Sequence, residues 1–321
     1  MTMPMTVRYR APLLAAAWCV FAASSLAEHA VAQPSRSTSR AAAVKPASAP
    51  ARKNPVPRPA PKSPARQGKH LVVIDAGHGG DHGGMRARLP NGDWIDEKTI
   101  TLGIAKRLRD ELVKHGVDVV MTRDKDMNVC PRAAEECPIE LDLSERGRIA
   151  NDARGDVFVS IHVNAAGPGE KNPKGVRGLE TYFLAEAKTE DERRVESMEN
   201  EVVRFETGAS VQGNNPLSFI INDMAQNEHL RESSELASAI QAGVGGVHPG
   251  PSRGVKQANF SVLRNAYMPA VLVETGYGSN PSEAAWLASD GGQKQLAASI
   301  ASATLDYIAK YERRVHAGMD R

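Results

Sequence analysis

From Leu71 onward the chain repeats one pattern: a short apolar run, then a longer stretch with apolar residues three or four apart. Leu71 to Ile74 is four apolar residues in a row, the signature of a short buried strand. It stops abruptly in Asp75-Ala76-Gly77-His78-Gly79-Gly80, where glycines let the backbone turn sharply and approach other groups. Residues 85–96 are polar and contain a Pro-Asn-Gly turn. Ile100, Ile104, Leu108 and Leu112 then recur at four-residue spacing, predicting a helix from about Lys98 to His115 that Gly116 stops. Val117 to Thr122 predicts a second strand, and strand–helix–strand predicts a parallel pair.

The pattern continues with a helix over about 143–154, carrying Arg146, Ile149 and Ala150, and a strand over 157–163. Alternation places Phe158, Ser160, His162 and Asn164 on one face of that strand. Leu179 to Leu184 predicts another strand. The segment from about 185 to 250 is long for a connection. Val195, Met198, Val202 and Phe205 at three- and four-residue steps predict an amphipathic helix with an acidic outer face. Further helical patterns cover about 218–226 and 231–242. Residues 254–270 lead back without a regular element to an apolar strand, Val271 to Glu274, and helices are predicted over 280–288 and 291–313. These elements predict an α/β fold: one three-layer domain with a mostly parallel central sheet flanked by helices.

Composition separates the N-terminal part from this domain. Residues 1–32 have the layout of a secretory signal peptide: Arg8 and Arg10, an apolar run from Ala11 to Ala23, and Ala30-Val31-Ala32 as a cleavage site, with Ser25-Leu26-Ala27 as second choice. The competing reading, an uncleaved membrane anchor, needs a longer apolar run. Residues 33–69 hold nine Lys or Arg, no Asp or Glu, and eight prolines. Such a segment cannot bury a core and reads as a disordered basic linker, a tether or a weak contact to anionic envelope polymers. Because the whole chain carries only +2, residues 70–321 are acidic overall, which argues against nucleic acid as a partner. Cys130 and Cys137 fall in one loop, and a secreted location allows a disulfide between them.

Four side chains stand at the ends of apolar elements: His78, Glu97, His162 and Glu274. Two imidazoles and one carboxylate are a catalytic zinc set, with a further carboxylate as acid–base group. Three of them have a plainer reading. His78 can be a turn residue, Glu97 a carboxylate favoured by the helix dipole, and Glu274 a solvated strand end. Asn164 can orient a substrate or cap a turn. His82, His229, His248 and His316 read as surface or turn residues. No Gly-x-Ser-x-Gly elbow offers a rival nucleophile.

The stretches DAGHGG, DEKTITLGIAKRL, FVSIHVNA and GVKQANFSVLRNAYMPAVLVETGYGSNPSE, in this order over roughly residues 70–313, resemble the zinc-dependent N-acetylmuramoyl-L-alanine amidases of the bacterial cell wall. The resemblance implies Zn²⁺ on His78, Glu97 and His162, with Glu97 rather than Asp96 as ligand because Lys98 and a helix follow it. It implies Glu274 as general base and acid, and a catalytic domain over about 70–315. The implied substrate is peptidoglycan, cut between N-acetylmuramic acid and L-alanine, in the periplasm or outside the cell, with no stable membrane span once the signal is removed. Gln257, Phe260 and Leu263 resemble the family's substrate-side loop. In septum-splitting members, which act in cell division, a helix inserted at this position can place a Glu against the zinc until an activator protein displaces it; Glu199 is the candidate here. A zinc peptidase of the stem peptide and a non-catalytic wall-binding relative are the competing functions.

Overall fold

In this computed structural model, residues 69–130, 138–200 and 216–319 are described. Strand β1 (Leu71–Ala76) is buried along its whole length, as expected of an apolar run with helices on both faces. A hairpin of β2 (Arg86–Arg88) and β3 (Trp94–Asp96) leads directly into α1 (Glu97–Lys114). β4 (Asp118–Met121), α2 (Ile139–Ala153), β5 (Val157–Asn164) and β6 (Leu179–Leu184) follow. Helix α3 (Glu190–Asn200), the 30-residue α4 (Pro216–Gly245) and β7 (Ser252–Ala258) come next. The chain closes with α5 (Ser261–Arg264), β8 (Ala270–Tyr277), α6 (Pro281–Ala288) and α7 (Asp290–Met319).

The sheet order is β4-β1-β5-β8-β6-β7. The first four strands are parallel; β6 runs antiparallel to β8 and parallel to β7. Alternation divides the core in two. Val72, Ile74, Val159, Ile161, Val271 and Val273 pack toward α1, α4 and α7. Val73, Phe158, Tyr182 and Leu272 face the other way, with Ala150 of α2, Val195 of α3 and Val262 of α5. His162 and Glu274 share parity with Phe158 and Leu272, so both stand on the α2–α3–α5 face.

Three elements differ from the sequence reading. β7 appears where a connection was expected. It is an edge strand, exposed or half-buried except at Ala258, so its sequence carries no apolar alternation. The β2–β3 hairpin appears in the polar loop; its strands are three residues long and only Ala87 is buried. The two helical patterns over 218–226 and 231–242 are one helix, because no Gly or Pro stands between them to end it. The expected signal peptide and linker, residues 1–32 and 33–69, fall outside the described residues except Lys69.

Candidate metal centre and active site

The glycine turn after β1 brings His78 in over β5. Gly77 donates its N–H to the Ile161 carbonyl at 3.0 Å, and a Cβ on it would lie 2.6 Å from the His162 imidazole, so only glycine fits. His78 itself has φ 59°, a left-handed conformation that costs a non-glycine residue about 1 kcal/mol or more and persists only where the surroundings impose it. Two buried arginines impose it. Arg146 donates to the carbonyls of Ala76 and His78, both at 2.9 Å. Arg123 donates to those of Ala76 at 2.8 Å and Gly77 at 2.9 Å. Arg146 is held in turn by Asp75 and Asp142, each at 2.8 Å. Asp75 also accepts from the hydroxyls of Thr122 (2.6 Å) and Ser160 (2.7 Å). Burial pushes the Asp75 carboxyl up, but the Arg146 guanidinium and these hydroxyls outweigh it and hold it below its ordinary value.

Glu97 is the first residue of α1 and is 1% exposed. Its carboxylate is fixed by backbone donors on two sides, Val163 N at 2.8 Å and Met85 N at 2.9 Å. One oxygen then lies 3.2 Å from His78 Nε2 and 3.3 Å from His162 Nδ1. Glu199, from α3, approaches the same two nitrogens at 3.5 and 3.0 Å. One ligand atom from each of His78, Glu97, His162 and Glu199 lies within 4.8 Å of all the others.

This donor set fits a divalent cation. His78 Nε2 and His162 Nδ1 are buried, yet neither makes a hydrogen bond of acceptable geometry, which in an ordinary interior is a costly arrangement. Two buried carboxylates also demand positive charge between them. With no cation present the imidazoles supply it: burial pushes both down, but Glu97 and Glu199 raise His78 to about 9 and His162 to about 10. The same pairing holds Glu97 down to about 2 against its burial. An ion that displaced the imidazole protons would meet two nitrogens and a carboxylate oxygen, a borderline-soft set suited to zinc.

Glu274 lies on the neighbouring strand, in register with His162. It is fully buried, and neither carboxylate oxygen has a hydrogen-bond partner. Burial first, then the charges of Glu199, Glu97 and Glu180, push its pKa well above the ordinary value. Ile139, Leu143 and Val262 form an apolar wall of the cleft beside His78, His162 and Glu199.

The other expected residues are placed as follows. Asn164 is buried; its amide N–H donates to Glu180 at 3.3 Å and its side-chain oxygen accepts from Ala165 N at 2.8 Å. Gln257 lies on edge strand β7, where its backbone N–H donates to Glu192 at 3.2 Å. Cys130 is buried and disulfide-bonded; Cys137 lies outside the described residues. His248, expected at the surface or in a turn, is buried edge-on against Trp286 at 5.0 Å and accepts from Gly250 N at 2.9 Å. A His beside Pro249-Gly250 reads as a turn, and it is one, but the turn folds inward. Asp75, Asp142, Arg123 and Glu180 are buried polar groups that the sequence reading did not single out. The local signal for Asp75, Asp142 and Glu180 was a charged residue within a strand or helix; Arg123, in the loop after β4, had none.

The Amidase_3 family model, described as N-acetylmuramoyl-L-alanine amidase, matches residues 72–306. The chain is 30% identical to the N-acetylmuramoyl-L-alanine amidase AmiA of Escherichia coli K12, covering 79% of this chain and 81% of that protein. It is 32% identical to AmiC of Neisseria meningitidis, covering 74% of this chain but 52% of that protein. Among solved structures, an N-acetylmuramoyl-L-alanine amidase from Clostridium difficile 630 superposes with a TM-score of 0.52 at 28% identity, over 75% of this chain and 98% of the other. AmiC2 of Nostoc punctiforme superposes at 0.50 with 29% identity, over 75% and 98%. A glycine turn, a helix start and a strand end that converge on one buried point thus coincide with a match over most of the folded region: the chain belongs to the N-acetylmuramoyl-L-alanine amidase family.

Proposed function

We propose that this chain cuts the amide between N-acetylmuramic acid and L-alanine in peptidoglycan, with His78, Glu97 and His162 holding a zinc ion and Glu274 moving the proton. The observation that supports this most is the convergence of two imidazoles and a backbone-clamped carboxylate on one buried point, with an unpartnered carboxyl in register beside it. When bound, zinc supplies a Lewis acid and brings the pKa of water to about 7. The backbone donors of Met85 and Val163 hold the Glu97 carboxylate in place. Arg146 and Arg123 hold the His78 turn. Glu274 takes a proton at its carboxylate and returns it to the leaving amine. Digestion of purified peptidoglycan tests the reading. Intact stem peptides with a free L-alanine amine are expected, and cuts inside the stem would make the enzyme a peptidase instead.

Metal analysis tests the ligands separately. His78→Ala and His162→Ala are expected to lose the zinc that the parent chain carries. Retention of a full equivalent in either variant would remove that residue from the ligand set.

Glu199 makes the set one of four protein side chains, and a zinc site closed by four protein ligands leaves no position for substrate. Catalysis therefore needs Glu199 to leave, which makes α3 a lid. Its docking is specific: Arg194 donates to Ala165 O at 2.9 Å, and Asn200 bonds Asn259 O at 3.0 Å and Ser261 N at 2.9 Å. An activator protein that pulls α3 away would shift the population to the open state. Deleting residues 189–206 is expected to raise partner-free activity by about tenfold for each 1.4 kcal/mol by which the closed state is favoured. Unchanged or lower activity of a folded deletion variant would end the lid reading.

Residues 1–32 are proposed to export the chain to the periplasm or beyond, residues 33–69 to tether the catalytic domain, and Cys137 to pair with Cys130. No helix among the described residues is long and apolar enough to cross a membrane.

A further inference from the structure

One charged cluster in this molecule is not used by the proton and metal chemistry. Row by row across the sheet, His162 of β5 pairs with Glu274 of β8, and Glu274 pairs with Glu180 of β6. The register of β6 with β7 is interrupted beside Glu180, between the pairs Leu179–Ser252 and Thr181–Val255, and Arg253 and Lys256 flank that irregularity. Glu180 is fully buried. It accepts from Tyr182 OH at 2.6 Å, Tyr277 OH at 3.1 Å and Lys256 Nζ at 2.9 Å, and it bonds Arg253. The two cations have a second carboxylate, Asp191, on the first turn of α3: Lys256 Nζ lies 2.5 Å and Arg253 Nη2 3.1 Å from its Oδ2. Arg194, on α3 itself, takes the other oxygen at 2.9 Å.

While α3 is docked, Asp191 sets one carboxylate oxygen against both Arg253 and Lys256 and the other against Arg194. Arg253 and Lys256 then face Glu180 and Asp191. When α3 lifts, Asp191 and Arg194 leave together, and one buried carboxylate remains for two cations. The Lys256 side chain is 15% exposed, and a largely buried ammonium without full compensation is unfavourable. The open site therefore favours an incoming anion where Asp191 sat. The geometry of the cluster suits a carboxylate: an Arg fork and a Lys point charge both reach one carboxylate oxygen.

The substrate's chemistry says which part of it brings that anion. The carboxyl of N-acetylmuramic acid is consumed in the amide being cut, so the sugar side offers no charge there, whereas a peptide carries free carboxylates. Three strand steps of about 4.8 Å separate His162 from β7, about 14 Å. An extended peptide covers that in about four residues, so the stem is long enough to reach.

We propose that Arg253 and Lys256 form a subsite for a free carboxylate of the peptide stem, and that Asp191 occupies this subsite when α3 is closed. The helix then blocks the enzyme twice, with Glu199 at the metal centre and Asp191 in the place of the substrate's anion. The stem as ligand rests on the amidase reading of the site, and the block by Asp191 rests also on the lid reading of α3.

The test uses the full chain with zinc added and Glu274→Ala to prevent turnover. Two ligands are titrated: a muramyl tetrapeptide with its carboxylates free, and the same compound with them amidated. With Asp191→Asn added, which frees the cations, the acid is expected to bind about tenfold or more tighter than the amide, the worth of one charge-assisted contact. Lys256→Met is expected to bring that ratio close to one, and Lys256→Arg to restore it. Should Lys256→Met lower the melting temperature, Arg253→Gln is read in its place. A ratio near one in the Asp191→Asn background, no binding of either ligand, or a ratio that survives loss of the cation would overturn the subsite. Hydrolysis by Asp191→Asn alone, in the active chain, reports on the lid. A rise supports it, and unchanged hydrolysis with the acid preference intact discards the lid while keeping the subsite.

Discussion

Glu274→Ala lowers the rate of peptidoglycan hydrolysis by about 10²–10⁴-fold, the usual worth of a positioned acid–base group, while the zinc content stays that of the parent. The expectation follows from where the carboxyl sits. It is in register with His162 but is outside the group of atoms of His78, Glu97, His162 and Glu199 that converge on one point. Its two oxygens are buried without a hydrogen-bond partner, an arrangement that folding alone would not favour. The same fact gives a second readout. Removing a buried, unpartnered carboxyl relieves a desolvation penalty, so the variant's melting temperature should hold or rise while activity falls. That is the trade-off expected of a group kept for function. Rates within a few-fold of the parent would remove Glu274 from its role. A large loss of stability would mean that the side chain has a structural task instead.

Arg146→Met destabilises the fold by about 3–5 kcal/mol, measured by denaturant unfolding, because it leaves buried charge uncompensated. Arg146 is almost completely buried, and its guanidinium joins Asp75 on β1 to Asp142 on α2. Methionine keeps much of the volume and none of the donors. Asp75 would retain its hydroxyl donors from Thr122 and Ser160, and Asp142 its bond from Val129 N at 2.7 Å, but neither would face a cation at that distance. The carbonyls of Ala76 and His78 would also lose their shared donor. The left-handed His78 would then be held less firmly, and zinc affinity is expected to fall in the variant even where it remains folded. A cost below about 1 kcal/mol, the size of an exposed pair, would show that the network does not bear on the fold.

Much of the architecture was legible along the chain. β1, β5 and β8 are apolar runs because both their faces are covered, and continuous burial writes itself as continuous hydrophobicity. The helix after β3 was legible from its four-residue stripe, within one residue at each end. Parity alone put His162 on the same face as Phe158 and Ser160, and the structure has it there. β7 was not legible, because an edge strand facing solvent needs no apolar pattern and takes its conformation from the backbone of β6. Nor was the continuity of α4, since its apolar residues read as two separate patterns although no Gly or Pro stands between them.

Local sequence determined the buried strands β1, β5 and β8, the helix α1 and the glycine turn at His78, because each depends on the periodicity or backbone freedom of a few neighbouring residues. Tertiary structure alone decided that His78, Glu97 and His162 meet at one point, that Glu199 on α3 reaches it, and that Arg146 ties Asp75 to Asp142 beneath it. Apart from the Arg146–Asp142 pair within α2, those are contacts between residues distant in sequence. They arise from sheet order and helix docking, which carry no signature in the spacing of residues along the chain.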